Sequence, residues 1–180
     1  DNATNITISG SPFKNCLTTY LYIGKNFTLN SALGYEMKYL EKIVIMDGVT
    51  FGAYFENLFY KAGSSDYTTP LYVYNHSTGF FSSGSIPKNT FNECDGVFFY
   101  TVADGIGTRT DVFGNCGDVK DAGGNLLYKA WTVYLGIPHS YENMLDPTCT
   151  DKGDIDCPCG VYTWNVHDGK WGYATFVEDA

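Results

Sequence analysis

The sequence is poor in positive charge: 11 Lys and Arg stand against 20 Asp and Glu, for a net charge of −9, and no stretch gathers its cations. A phosphate backbone is bound by exchanging its counterions for clustered cations, so this balance argues against a nucleic-acid partner. Apolar runs are short. The longest aliphatic block is Ile43-Val-Ile-Met46, far below the length of a membrane-spanning helix. Catalytic signatures are missing as well. There is no Gly-x-Ser-x-Gly elbow, and the glycine-flanked stretch 117–124 carries acids where a phosphate would sit. His76, His139 and His167 are followed by Ser77, Ser140 and Asp168, but neighbours on a strand face opposite ways, so adjacency makes no dyad. A glycosidase pair among the 20 acids stays open. The expectation is a non-enzyme, with a secreted hydrolase as the least favoured reading.

What the chain has in abundance is aromatic and turn residues: 15 Tyr, 12 Phe and 20 Gly in 180 positions. Tyr and Phe suit pleated, half-buried surfaces and Gly punctuates turns, which predicts an all-β or β-rich fold. The length suits a single domain over 1–180, or two small β subdomains of about 1–90 and 91–180. Ile6 and Ile8 alternate with polar residues as in a strand, and such an arm could complete a neighbour's sheet. Residues 17–23 and 26–30, joined through Gly24-Lys25, read as a hairpin. Leu33, Met37, Leu40 and Val44 fall at helical intervals, predicting one short helix near 31–42 against which Gly34 counts. Strands resume over 49–55, 58–61, 71–75 and 80–82.

A pattern recurs. Tyr72-Val-Tyr74-Asn75 and Tyr162-Thr-Trp164-Asn165 share aromatic-x-aromatic-Asn followed by Gly79 or Gly169 and a further aromatic, and Phe98-Phe-Tyr100 is a weaker copy. Each reads as an aromatic hairpin. The predicted architecture is therefore a disulfide-stapled antiparallel β-sandwich built from aromatic hairpins.

Six cysteines and four Asn-x-Ser/Thr acceptors, Asn2, Asn5, Asn26 and Asn75, with no leader at Asp1, read as a mature secreted glycoprotein from an oxidising compartment. Cys94 and Cys116 lie eleven residues either side of Gly105, so a hairpin folded there would pair them. Cys157-Pro-Cys159 is too tight a ring to close on itself, which sends Cys157 and Cys159 to Cys16 and Cys149 in one order or the other. Cys149, Cys157 and Cys159 with His139 or His167 lack the paired spacing of a zinc site. Asp151, Asp154 and Asp156, and separately Asp118 and Asp121, offer hard oxygens to calcium, yet neither set matches a known loop, and solvated acidic turns are the simpler reading. No cofactor or metal is expected.

Tyr162, Trp164, Trp171 and Tyr173, with Trp131, could stack on sugar rings beside Asn165, His167 and Asp168. Packing inside the fold is the favoured use of the same bulk. Together these features suggest an extracellular structural or adhesive module, a subunit of a coat, matrix or filament, whose partners are other extracellular proteins, copies of itself or glycans. A lectin-like or receptor-binding surface domain of a virus or pathogen is the alternative.

Overall fold

The computed structural model describes residues 6–8, 10–25, 27–29, 32–51, 57–63, 69–78, 88–102, 110–135, 162–165 and 170–173. Twelve strands occur among them: β1 (Ile6–Ile8), β2 (Tyr20–Ile23), β3 (Phe27–Leu29), β4 (Lys42–Ile45), β5 (Thr50–Phe51), β6 (Leu71–Asn75), β7 (Val97–Thr101), β8 (Val119–Lys120), β9 (Leu126–Tyr128), β10 (Trp131–Leu135), β11 (Tyr162–Asn165) and β12 (Lys170–Tyr173). The main sheet has seven strands in the order β12-β11-β10-β7-β6-β4-β2, and its five strands from β10 to β2 are parallel. β1, β3 and β5 form a second, smaller parallel sheet.

The chain alternates between the two sheets as it advances: β1, then β2, β3, β4, β5, β6. Each strand lies beside the one a circuit later, so the backbone winds as a solenoid. In the large sheet Tyr20, Lys42, Tyr72, Phe98 and Thr132 share one register row, at spacings of 22, 30, 26 and 34 residues. A tight turn introduces the front of each circuit and repeats more faithfully than the spacing does. The amides of Cys16, Met37, Ala62, Cys94 and Cys116 each donate to the carbonyl three residues back, at 3.0–3.4 Å. In every case the preceding residue, Asn15, Glu36, Lys61, Glu93 or Asn115, has a left-handed φ of 52–60°. That conformation is costly for Glu and Lys. It is held by a ladder in which the same residue donates its N–H to the next circuit: Asn15 to Tyr35 O, Glu36 to Tyr60 O, Lys61 to Asn92 O and Glu93 to Gly114 O, at 2.7–3.4 Å.

The core lies between the sheets and under these turns. Ile43, Val73, Phe99 and Val133 are buried from the large sheet, Leu29 from the small one, and Leu33, Met37 and Leu40 from the connections. Three residues before each turn's last position the chain repeats an aromatic, and Phe59, Phe91 and Phe113 stack face to face with centroids 5.2 and 5.7 Å apart. Gly34 occupies the equivalent position one circuit earlier, where a Cβ would fall 2.5 Å from the Phe59 ring. The Phe59 ring fills the space that Gly34 leaves. Burying each such ring contributes about 1.5–3 kcal/mol.

Several expectations are corrected. The antiparallel sandwich is replaced by a mostly parallel sheet, because alternation of inward and outward residues is the same for both arrangements. β2 and β3 do not pair with each other but enter different sheets. Residues 32–41 form turns, not the helix near 31–42: Glu36 is left-handed, and Leu33, Met37 and Leu40 are buried by successive bends. No α-helix occurs among the described residues. The terminal arm pairs with the chain's own β3. Of the hairpin copies, Tyr72 and Phe98 are neighbours in register on parallel strands, whereas β11 and β12 do form an antiparallel pair. The antiparallel β8–β9 ribbon had not been anticipated.

No disulfide occurs among the described residues: Cys16, Cys94 and Cys116 are free thiols. Cys94 and Cys116 belong to successive turns, not to the open end of one hairpin. The Cys94 thiol donates to Phe59 O at 2.8 Å and the Cys116 thiol to Phe91 O at 3.0 Å, each reaching the previous circuit. Both are rungs of the solenoid. The inference of an oxidising compartment thereby loses the cysteine pairing on which it leaned, and the picture of a disulfide-bonded secreted glycoprotein is withdrawn. Cys149, Cys157 and Cys159 lie outside the described residues.

Candidate functional site: the aromatic face of the parallel sheet

Strand alternation divides the large sheet into two chemically different faces. Inward positions are aliphatic or aromatic without a hydroxyl, apart from Asn75 and Thr101 at the strand ends. Outward positions carry Tyr20, Lys42, Tyr72, Phe98 and Thr132 in one row and Tyr22, Val44, Tyr74, Tyr100 and Tyr134 in the next. A parallel register places like residues side by side at one strand spacing, which suits flat rings. Tyr74, Tyr100 and Tyr134 stack as a column, with centroids 5.2 and 4.5 Å apart and planes within 12°. In the neighbouring row Tyr72 meets Phe98 edge-on at 5.5 Å, and Phe98 meets Tyr128 of the β8–β9 ribbon edge-on at 5.7 Å. Val44 and Tyr100 are buried at the centre, Tyr72, Tyr74, Phe98 and Tyr134 are half-buried around them, and Tyr20 and Tyr22 are exposed.

Burial raises the hydroxyl pKa of Tyr74 to about 12, and pushes those of Tyr100 and Tyr134 up as well, each helped by the other phenols nearby. The phenols therefore stay neutral near pH 7, able both to donate and to accept hydrogen bonds. Lys42 is the only charged residue in these two rows, and its ammonium sits 6.0 Å from the centre of the Tyr74 ring. Such a face is amphipathic and nearly uncharged on a molecule of net charge −9.

No family model, curated protein or solved structure matches the chain. Function must be read from the site itself.

The residues singled out from the sequence fall elsewhere. Asn75 is fully buried at the end of β6, where its amide donates to Ser77 O at 3.0 Å and Thr101 Oγ1 at 2.9 Å, and its carbonyl accepts from Ser77 N at 3.1 Å. A glycan on that nitrogen would replace one of its two hydrogens, removing one of the donated bonds, and would have to fit a site with no exposed surface. Ser77 spends its hydroxyl on Val49 O at 2.8 Å, which ties the side chain to the backbone. Asp121 folds a turn: one oxygen accepts from Gly123 N and Asn125 N and the other from the Asn125 amide, all at 2.8 Å. These bonds, the Asn125 amide foremost, hold its carboxyl below the usual range. Asp118 accepts from Ala130 N at 2.8 Å and lies 3.8 Å from the Lys129 ammonium. Each has protein partners, and no cluster of three metal-ligating side chains occurs among the described residues.

Trp131 stacks on Phe113 at 4.6 Å with planes 7° apart, closing the inner aromatic column. The β11–β12 register pairs Tyr162 with Tyr173 and Trp164 with Trp171, while the side chains of these four lie outside the described residues. Asn2, Asn5, Asn26, Asp151, Asp154, Asp156, His139, His167 and Asp168 lie outside them as well. The outward tyrosines were not anticipated as a site. Their signal was legible, since aromatic-x-aromatic recurs at Tyr20/Tyr22, Tyr72/Tyr74 and Phe98/Tyr100.

Among the described residues no helix is long and apolar enough to cross a membrane.

Proposed function

We propose that the protein is a non-enzymatic recognition module that binds an extended segment of another protein across the outward face of its parallel sheet. The observation that carries this reading is the double row of outward aromatics, apolar at the centre and rimmed by neutral phenols. Tyrosine supplies large contact area at a small entropic cost and a polar tip for hydrogen bonding, which is the chemistry of protein-binding surfaces. Regular rows one strand spacing apart also suit a ligand whose side chains repeat along its own backbone.

Carbohydrate is the second reading, and ring geometry separates the two. A sugar stacks on an open ring face, but in the Tyr74–Tyr100–Tyr134 column those faces cover one another at 4.5–5.2 Å. What the column offers outward is ring edges and hydroxyls. A polypeptide side chain packs against such edges, whereas a pyranose loses the ring-face stacking that its C–H face would make and keeps only hydrogen bonds.

Selection of displayed random peptides against the immobilised chain tests the proposal, with a glycan array run beside it. The expected result is peptides whose binding falls at least tenfold with Tyr72→Ala, in a protein that keeps its circular dichroism, and no glycan signal. Binding to glycans that the same substitution abolishes would overturn it in favour of a lectin. Peptides indifferent to Tyr72→Ala and Tyr134→Ala would overturn the choice of face.

A further inference from the structure

Solvent does not reach the outward rows evenly. In the row through the tyrosine column Tyr22 is 49% exposed and Tyr74 and Tyr134 are half-buried, whereas Val44 between the first two is fully buried and Tyr100 between the last two is 5% exposed. In the sheet order β2, β4, β6, β7, β10 the phenols that solvent reaches therefore stand on every second strand. Two strand spacings are about 9.6 Å. Beyond β10 the row continues through Thr163 of β11 and Gly172 of β12, so its aromatic part ends at Tyr134.

A ligand presents like groups to all three phenols only if its own side chains repeat at that distance. An extended β-segment repeats a face every two residues, at about 6.7 Å, and is out of step by the second phenol. An α-helix comes back into line after seven residues, about 10.5 Å, and is about 2 Å out by the third phenol. A polyproline II chain repeats every three residues at about 3.1 Å each, so its turn of about 9.3 Å stays within about 1 Å of the phenols from Tyr22 to Tyr134. Seven residues of it cover the row.

Backbone chemistry points to the same class. The contact lies on the face of a sheet whose backbone groups are directed sideways to neighbouring strands, so the face meets a ligand with side chains alone. A β-segment laid there would bury N–H groups that need acceptors. Proline has no N–H to satisfy, and a polyproline II chain makes no internal hydrogen bonds and is ordered before it binds. A phenol, neutral near pH 7, has a hydrogen to give to its carbonyls.

Charge narrows the partner further. The two rows hold no carboxylate and one cation, Lys42, on a molecule of net charge −9. An acidic segment would be repelled at long range. A cation over the column would meet ring edges, the positive part of the aromatic quadrupole. An uncharged core with basic residues outside it complements this field.

We propose that the partner segment is proline-rich and lies along the tyrosine row as a polyproline II helix, one turn to every two strands, with its contacts at Tyr22, Tyr74 and Tyr134. This rests on the reading of the face as a peptide-binding surface and names the class of peptide.

Calorimetric titration of the chain with synthetic decaproline tests it, beside a ten-residue alternating Thr-Gln peptide as the proline-free control. The expected result is binding of decaproline and not of the control. Affinity should rise at least tenfold from four prolines to seven, the length that reaches all three phenols, and less than fivefold from seven to ten. Tyr22→Ala, at an exposed position where the fold should survive, is expected to weaken binding at least fivefold with circular dichroism unchanged. Absence of decaproline binding would overturn the proposal. If displayed peptides selected by the chain then lack proline but still depend on Tyr72, the face keeps its role with another class of peptide; if none is selected, both readings fall. Decaproline binding that Tyr22→Ala and Tyr134→Ala both leave unchanged would overturn it too, because the contacts would lie elsewhere.

Discussion

The two faces of the parallel sheet are built by the same backbone and differ in what their side chains do. Inward, Leu21, Ile43, Val73, Phe99 and Val133 interdigitate with side chains from the turns and the small sheet. Outward, Val44, Tyr74, Tyr100 and Tyr134 pack together along the solenoid axis, with Tyr22 exposed beside them. Inner residues need the turns and the small sheet to bury them; the outer cluster is covered by Met46, Tyr72 and Phe98 together with the column's own rings. The difference separates stability from recognition. Substitutions on the inner face should unfold the protein, and those on the outer rim should change binding while the fold persists.

The largest effect is expected at Phe91. It is fully buried, stacked between Phe59 and Phe113 and edge-on to Phe99 at 5.7 Å. Phe91→Ala leaves a cavity where three rings meet and should cost about 3–5 kcal/mol in chemical denaturation. A cost under about 1 kcal/mol would mean that the aromatic column does not join the circuits. Next comes Asn75→Ala, at the seam where β6 meets β7. It removes three buried hydrogen bonds and is expected to cost about 1–3 kcal/mol, with little recovered by Asn75→Asp, which cannot donate to Ser77 O and Thr101.

The local pattern was legible in the sequence and the long-range pairing was not. Strand 71–75 was expected where β6 stands, and the aromatic-x-aromatic motif picked out Tyr72 and Phe98, which prove to be register partners. The motif was taken for a hairpin because a strand's alternation is blind to its neighbour's direction. The solenoid was hidden for two physical reasons. Its circuits advance by unequal spacings, so no fixed period shows. Its left-handed turn positions carry Asn, Glu and Lys, where glycine would have signalled the bend. Cysteine misled in a third way: Cys94 and Cys116 hold the same position in two successive turns, where each thiol reaches a carbonyl of the circuit before, and their symmetric spacing about Gly105 looked like pairing. As for the site, its residue types were visible, but only parallel register brings the tyrosines into one face.

A smaller effect tests how dry the outer column is. The Tyr74 phenol, held at about 12 against an ordinary 10.0, is neutral in the folded chain over a range where the unfolded chain ionises. The folded state then holds more protons than the unfolded state, so stability is full below pH 10 and falls as pH rises toward 12. The Cys116 thiol, also pushed up to about 12 by burial, adds a loss that starts from its ordinary value near 9.0. Tyr74→Phe should remove about 1–2 kcal/mol of the alkaline loss while leaving stability at pH 7 nearly unchanged. An alkaline titration of denaturant midpoints reads the difference. An unchanged profile would mean that water reaches the column freely.

The smallest stability effect should accompany the clearest loss of binding. Tyr72 is half-buried on the outer face, with Phe98 edge-on at 5.5 Å as its ring partner. Trimming it to Ala removes one edge contact and part of a ring's burial, for a cost of about 1 kcal/mol. On the inner face of the same strand, Val73 is fully buried, and Val73→Ala is expected to cost more although it deletes far fewer atoms. Measured together, the two substitutions turn the contrast between faces into a crossing of effects: Val73→Ala lowers the denaturation midpoint more, and Tyr72→Ala lowers peptide affinity more. If both properties fell most with the same substitution, the outer aromatics would be core that happens to lie near the surface, and the separation of stability from recognition would fail.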